Sequence, residues 1–490
     1  MASNRNPIGP GGQIRSGRES QDRGDHVGGR FGRRGRLGHR RPAAVQRGQA
    51  LVLALVLMFS GLLALYFLFS VGQVAASKQR LTNTADAAAY STAVWRARVL
   101  NFQAYSNRAI VAQEVAVAQA VTLTSWAKYF EQFMLNASRI ASVFPPLGAI
   151  LSAAAEVAEY ARELTEWTAA TEIEWRAGTD LGYKALLQRS QEVLYRSADS
   201  FGLGAVANEV ARANDPAFFA FALGDDGAYA RFSRRYETDE DRRRLQGVVT
   251  DSLSSFVGGP RTGDVRLPLP SGCTGLSTDF DHWFQWWRRR GGTEMSPDLE
   301  RWEAADTGSI HDYRRRGFFS SGCRGSEILP LGWGAAQASS PDHTYAGLHG
   351  DPGGTSTNGA ATAMAESTVT GEGHEGFERY SGIERVRELD YAVLSNATFP
   401  TSQVVVLARA EANSVRTAPV LKLGAGSMRL ADERFAGDRL WAMAVGEVYF
   451  RRPPGAPARN EYASLYSPYW QARLAEPSDA QRAAVMAYVH

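Results

Sequence analysis

At 490 residues, with 44% hydrophobic and 21% charged side chains, the chain has the composition of an ordinary folded protein of roughly two to four domains. A net charge of +3 excludes the strongly basic balance of a nucleic-acid-binding body. The basic charge is local: residues 1–47 hold eleven arginines, no lysine and three acids (Glu19, Asp22, Asp25), so the remainder is slightly acidic.

That tail, rich in Gly, Asn, Gln and Ser, has too little apolar surface to fold and reads as a solvated basic leader. After Arg47 no charged residue occurs until Lys78. Within the gap lies the apolar run Ala50–Val71, and a helix of about 20 residues spans the hydrocarbon core of a bilayer. The run exceeds the apolar core of a secretory signal, roughly 7–15 residues, and no A-x-A site follows it closely, so a retained anchor is expected. The arginine-rich flank stays cytoplasmic and the rest of the chain crosses.

From Gln73 to Phe144 there is neither glycine nor proline, which predicts helix. Leu81, Ala85, Ala88, Trp95, Val99 and Phe102 begin a 4–3 spaced seam that continues to Met134. Such a seam buries against another helix or a neighbouring subunit. Unbroken from Gln49, the helix would run about 140 Å at about 1.5 Å per residue, so a break is expected. Pro145-Pro146 ends this region; further helix follows over 149–200 and 205–214, making a hairpin or small bundle.

Beyond Pro216 the character changes. Arginine-rich pieces alternate with aromatic ones, notably Trp283, Trp286 and Trp287. This cluster leaves two readings open, a stacking surface for sugar or peptide and a core with a cationic rim. Residues 346–376 are Gly, Thr, Ser and Ala and read as a loop. Around Val406–Ala412 the apolar period becomes two, and Leu440–Phe450 reads as a second, antiparallel strand. A last helix is expected over 478–488 with Ser478 as its N-cap.

Chemistry-bearing motifs are scarce. No phosphate loop, nucleophile elbow or H-E-x-x-H occurs. His343 and His349, near Asp342 and Asp351, have the spacing of solvated loop histidines more than of a metal site. In "VVTDSLSS" Leu253 stands where a strand-end Mg²⁺ motif needs a hydroxyl. Cys273 and Cys323 lie in small-residue turns. They can pair in an oxidising compartment, closing a loop worth about 4 kcal/mol, or remain free thiols. No catalytic residue, metal or cofactor is expected.

The expected fold class is α+β: a transmembrane helix continuing into a long extracytoplasmic helix, a helical hairpin or bundle, then a mixed domain with a C-terminal antiparallel β region. The expected divisions are a tail (1–47), the membrane helix (48–72), a helical region (73–216), an Arg/Trp-rich region (217–345), the loop (346–376) and an α+β region (377–490).

Arg47 to Ala93 resembles the N-terminal segment of the TadE/TadG-like proteins of the Tad (Flp) pilus-assembly family. The resembling residues are Arg47-Gly48, Gly72 and, most specifically, "RLTNTADAAAYSTA" at Arg80–Ala93. Gly446–Pro453 and Leu465–Leu474 are more loosely similar to C-terminal segments of such proteins. The resemblance implies a single-pass bacterial inner-membrane protein, N-terminus cytoplasmic and bulk periplasmic. It would act without catalysis in assembly or anchoring of a type IVb-like pilus. Its implied partners are other pilus-assembly or envelope proteins and membrane lipid, not nucleic acid, with a homo-oligomer through the long helix also open. Prepilin-like members are cut after a glycine that follows a basic leader, which maps onto Gly48 and Gln49. They carry a glutamate five residues on, where this chain has Leu53. A single-span periplasmic scaffold contacting the cell wall or another envelope protein is the alternative.

Overall fold

A computed structural model describes residues 47–141, 145–223, 227–317, 322–339, 347–369, 380, 382–383, 385–390, 400–411, 439–452 and 462–489. In chain order the elements are helices α1 (Arg47–Ala141), α2 (Pro145–Ser197) and α3 (Ser200–Asn214), then strands β1 (Phe218–Ala222) and β2 (Ser233–Arg235). Helices α4 (Asp239–Ser252) and α5 (Ser255–Gly258) precede strands β3 (Gly263–Pro270), β4 (Phe284–Met295), β5 (Trp302–Arg315) and β6 (Cys323–Ala338). Helix α6 (Gly359–Ser367), strands β7 (Arg387–Leu389), β8 (Thr401–Glu411), β9 (Arg439–Phe450) and β10 (Trp470–Ala475), and helix α7 (Asp479–Val489) complete the chain. The class is α+β, with a long N-terminal helix and antiparallel sheets.

Contacts divide the chain after Leu68. In the first unit, α1 leaves Leu51, Leu53, Phe59 and Leu68 between 62 and 70% exposed. The second unit, Phe69–His490, is built around the remainder of α1. Between Leu81 and Glu131 this helix is buried on nearly every side; its exposed residues are Asn83, Tyr90, Arg98, Tyr105, Arg108, Ala112, Gln119 and Leu123, which fall on one narrow stripe. Helix α1 is a single element of 95 residues, so the expected break does not occur. With no glycine or proline after Gln73 and with packing along most of its length, nothing interrupts its hydrogen-bond ladder.

Two four-stranded antiparallel sheets, ordered β1-β8-β9-β10 and β3-β4-β5-β6, lie on successive stretches of α1. The first packs Val404, Val406, Ala408, Ala442 and Ala444 on Leu81, Ala85, Ala88 and Ala89, with α3 beside them. The seam expected to meet another helix or subunit is therefore covered by this chain's own sheet and α3. Trp95 packs at its edge, Val99 enters the adjoining cluster with Phe450 and Trp470, and Phe102 is half-buried. Contact this close requires small residues. A Cβ on Gly446 would lie 2.2 Å from the Ala89 carbonyl oxygen, and one on Gly334 would lie 2.3 Å from that of Ser125.

Helix α2 runs antiparallel to α1, as a hairpin should. Its pairs descend in order: Arg162 with Glu131 at 2.6 Å, Glu166 with Lys128 at 3.2 Å, Lys184 with Glu114 at 3.0 Å, and Gln191 with Asn107 at 2.8 Å. Strands β8 and β9 pair antiparallel from Thr401↔Tyr449 to Glu411↔Arg439, as the alternating pattern predicts. Ser478 caps α7, accepting from Gln481 N–H while the Gln481 side chain accepts from Ser478 N–H. The expected loop over 346–376 is corrected in part: within it a 3-10 turn (Thr355–Asn358) and α6 pack on the second sheet. Residues 370–376 lie outside the described residues.

Two of the buried acids, Glu114 and Glu388, give testable contributions to the stability of this unit. Glu114 is fully buried, paired with Lys184, and also accepts from Trp302 Nε1 and Tyr380 Oη. Removing one partner of a buried pair strands the other charge. Lys184→Ala is expected to cost about 3–5 kcal/mol, measured by chemical denaturation of the detergent-solubilised protein. Glu388 on β7 is also buried. Its Oε1 accepts from Leu389 and Leu465 N–H, both at 2.7 Å, while Oε2 has no partner among the described residues. Burial pushes its pKa up to about 7 from 4.5. The folded state therefore favours the protonated acid. Its stabilisation is complete below the unfolded pKa and is lost as pH rises through about 7, a change of about 3 kcal/mol. Melting temperature should fall between pH 5 and pH 8, and the fall should be much shallower in Glu388→Gln.

Candidate membrane and assembly interface

Helix α1 supplies two different surfaces. Among the described residues it is the one helix long and apolar enough to cross a membrane; its most apolar 18-residue window has mean hydropathy 2.6 and none of it is buried. Gly48 and Gln49 fall in its first turn, and Leu53 is 62% exposed. Uniformly apolar helix with no protein cover is what a bilayer requires, since every backbone group is already paired.

The stretch that follows is of the other kind. Of "RLTNTADAAAYSTA", the residues Leu81, Thr84, Ala85, Ala88, Ala89, Thr92 and Ala93 are buried. Thr92 keeps its polarity within the helix, its Oγ1 donating to the Ala89 carbonyl at 2.8 Å. One turn later Arg96, 1% exposed, donates through Nε to the Ala198 carbonyl at 3.0 Å and through Nη1 to Ser402 Oγ and the Gln403 carbonyl. Its guanidinium lies 4.0 Å from the centre of the Tyr229 ring. Arg96 thereby fixes the α2–α3 junction and β8 to α1. Sequence reasoning passed over it; the available signal was an arginine directly beside the seam residue Trp95.

Polar side chains continue this role along α1. Asn101 pairs with the backbone of Trp470 in both directions, Nδ2 donating at 2.9 Å and Oδ1 accepting at 3.0 Å. It thus completes hydrogen bonds at the start of β10. Asn107 Nδ2 donates to the carbonyls of Arg387 and Leu465. The two C-terminal segments singled out by sequence therefore meet the helix on and just after its alanine-rich motif: Gly446 against Ala89 and Ala93, Trp470 on Asn101, Leu465 on Asn107.

Residues 48–96 match the family described as "Putative Flp pilus-assembly TadE/G-like". The matched stretch runs from the apolar segment to Arg96, and so includes the alanines packed under the first sheet. No curated protein and no solved structure matches the chain.

The other sequence candidates resolve differently. Cys273 and Cys323 form a disulfide, with Cα atoms 6.3 Å apart. Trp283 and Trp286 are half-buried, each donating its indole N–H to a backbone carbonyl of the preceding turn, Ser277 and Asp281. Trp287 packs against Phe133 of α1, ring centres 6.0 Å apart. His349 lies between Glu303 and Arg301, and no cluster among the described residues has the ligands to hold a metal. His343 and Asp342 fall outside the described residues. Asp251 is on helix α4, not at a strand end.

Close packing at Gly446 gives a direct check. Its added Cβ would meet helix backbone, which cannot swing aside, so Gly446→Ala should destabilise by about 3 kcal/mol. Gly61→Ala, where a Cβ meets nothing within 4 Å, should leave the melting temperature of the same detergent-solubilised protein unchanged.

Proposed function

We propose that this chain is a non-enzymatic, single-span component of a Tad/Flp, type IVb-like pilus-assembly machine, acting in pilus assembly or anchoring. Its anchor is the apolar start of α1 in the bacterial inner membrane, its basic tail is cytoplasmic, and the body from Gln73 onward is periplasmic. The observation that carries this reading is the family match over residues 48–96, which joins the apolar segment to the alanine-rich stretch.

Three further features support it. The eleven arginines before the apolar run favour retention of that flank in the cytoplasm. The Cys273–Cys323 disulfide suits an oxidising compartment. Leu53 stands where a polymerising subunit of the prepilin kind carries glutamate, and an unpaired glutamate in hydrocarbon costs several kcal/mol. A lipid-facing leucine needs no partner, so the chain suits a fixed assembly factor more than a filament subunit. The proposed divisions are the tail to residue 47, the span over 48–72, the helical region over 73–216 and the mixed regions beyond. In this role α1 holds a rigid body to the membrane, and that body offers surfaces to other pilus-assembly or envelope proteins.

A clean deletion strain should lose surface pili and regain them on complementation; normal piliation in the deletion would overturn the reading. N-terminal sequencing of the membrane-bound protein should return an intact leader or a start at Gln49. A start beyond Val71 would mean the anchor is removed.

A further inference from the structure

We propose that the outer face of α2 between Glu156 and Leu164 docks a basic amphipathic helix of another envelope protein. The inference deepens the assembly role proposed above and rests on that reading for the anchoring of the chain in a membrane. Ala155 and Ala158 are buried, and the opposite side of α2 is turned to solvent. There Val157, Tyr160 and Leu164 are 70, 70 and 50% exposed. Spaced three and four residues apart, they form one continuous apolar ridge. Single exposed apolar side chains are ordinary, whereas a contiguous patch edged by charge marks a contact surface. One flank of the ridge is acidic: Glu156, Glu159 and Glu163, again three and four apart, are all exposed. Glu156 and Glu159 form no ion pair among the described residues. Glu163 comes only within 3.9 Å of Arg162, whose Nε is held by Glu131 at 2.6 Å.

A helix has its backbone groups paired internally, so it offers a partner side chains alone, and a convex ridge of this period is met by the grooves of a second helix. The acid row sets the partner's charge: apolar residues at the same spacing, with Lys or Arg along one edge. A lipid surface fits less well, because helices that lie on anionic bilayers carry Lys and Arg on the polar face rather than glutamate. A second copy bringing the same ridge would set glutamate against glutamate. Leu186 and Val193, 61 and 67% exposed and flanked by exposed Arg189 and Arg196, carry the matching chemistry on the same helix. They begin about 44 Å further along, at about 1.5 Å per residue. Copies whose anchors start side by side at Phe69 do not bring the two stretches together.

The test is photo-crosslinking in the cells that produce the full-length protein, with p-benzoylphenylalanine in place of Tyr160 and the product mapped by mass spectrometry. The expected product joins position 160 to a segment of another protein that has apolar residues at helical spacing flanked by Lys or Arg. Reversing the acid row, Glu156→Lys/Glu159→Lys/Glu163→Lys, should cut its yield about tenfold. The melting temperature of the detergent-solubilised variant should stay unchanged, since all three side chains are exposed. A product on the Leu186–Arg196 stretch of a second copy, on lipid, or on a segment without that pattern overturns the proposal. So does the absence of a product, or a yield that the reversal leaves unaltered. The readout is independent of piliation: normal pili in the deletion strain sink the assembly role alone, and a missing or mispatterned product sinks this inference alone.

Discussion

Between Leu81 and Glu131, helix α1 keeps only a narrow line of residues in contact with water, and the unit from Phe69 onward depends on that enclosure. Two sheets, α2 and α3 all close on the same helix. A helix can be surrounded in this way only if its side chains are short where neighbours come close. Alanines at 85, 88, 89 and 93 provide the room on one side, and glycines at 332, 334 and 446 provide it from the sheets. Packing at this density gains dispersion contacts and leaves no space for an added methyl group.

Enclosure also explains why a buried helix carries so many polar residues. Arg96, Asn101, Asn107, Glu114 and Ser125 bond in turn the α2–α3 junction with β8, the start of β10, β7 with the 465 segment, α2 with the start of β5, and the middle of β5 with β6. An all-apolar helix of this length would let the surrounding elements slide. Fixed donors and acceptors at successive turns assign each element one position, and an element shifted by a turn would leave a buried amide or charge without its partner.

The parts of the fold legible in the sequence are those whose periodicity is carried by local residues. The apolar segment, the long helix, the α1–α2 hairpin, β8 paired with β9, and α7 with its Ser478 cap all belong here. Strand β5 of the second sheet was not legible because both its faces are buried and carry polar residues: Asp306 meets Ser125 of α1, while Thr307 and His311 meet Asn358, so the strand shows no apolar alternation. Helix α6 was hidden for a different reason. Its nine residues are alanine-rich but short and set in a glycine-, serine- and threonine-rich stretch, and the first turn is capped from a distance by Glu327, which accepts from Ala360 and Ala361 N–H at 2.6 and 3.0 Å. The seam on α1 was visible, but the pattern that marks a buried face does not say whether a helix, a sheet or another subunit covers it. Of the candidate interface, the alanine motif was legible as a resemblance, and the structure supplies its physical reason. Arg96 was missed.

A change in composition along α1 then separates its two environments. From Leu51 to Val71 the residues are large and apolar all round, which suits a fluid solvent that fills any shape but offers no hydrogen bonds. From Leu81 onward they are small, with threonine, serine, asparagine and glutamine among the alanines, which suits a solid neighbour with fixed shape and fixed polar groups. Leucine and phenylalanine at positions 85–93 would push the first sheet away, and alanine throughout 51–71 would hold a bilayer poorly. The family match spans this change, from residue 48 to residue 96. The matched segment therefore contains both an uncovered apolar stretch, long enough to cross a membrane, and the start of the stretch on which the chain's own sheets and helices pack.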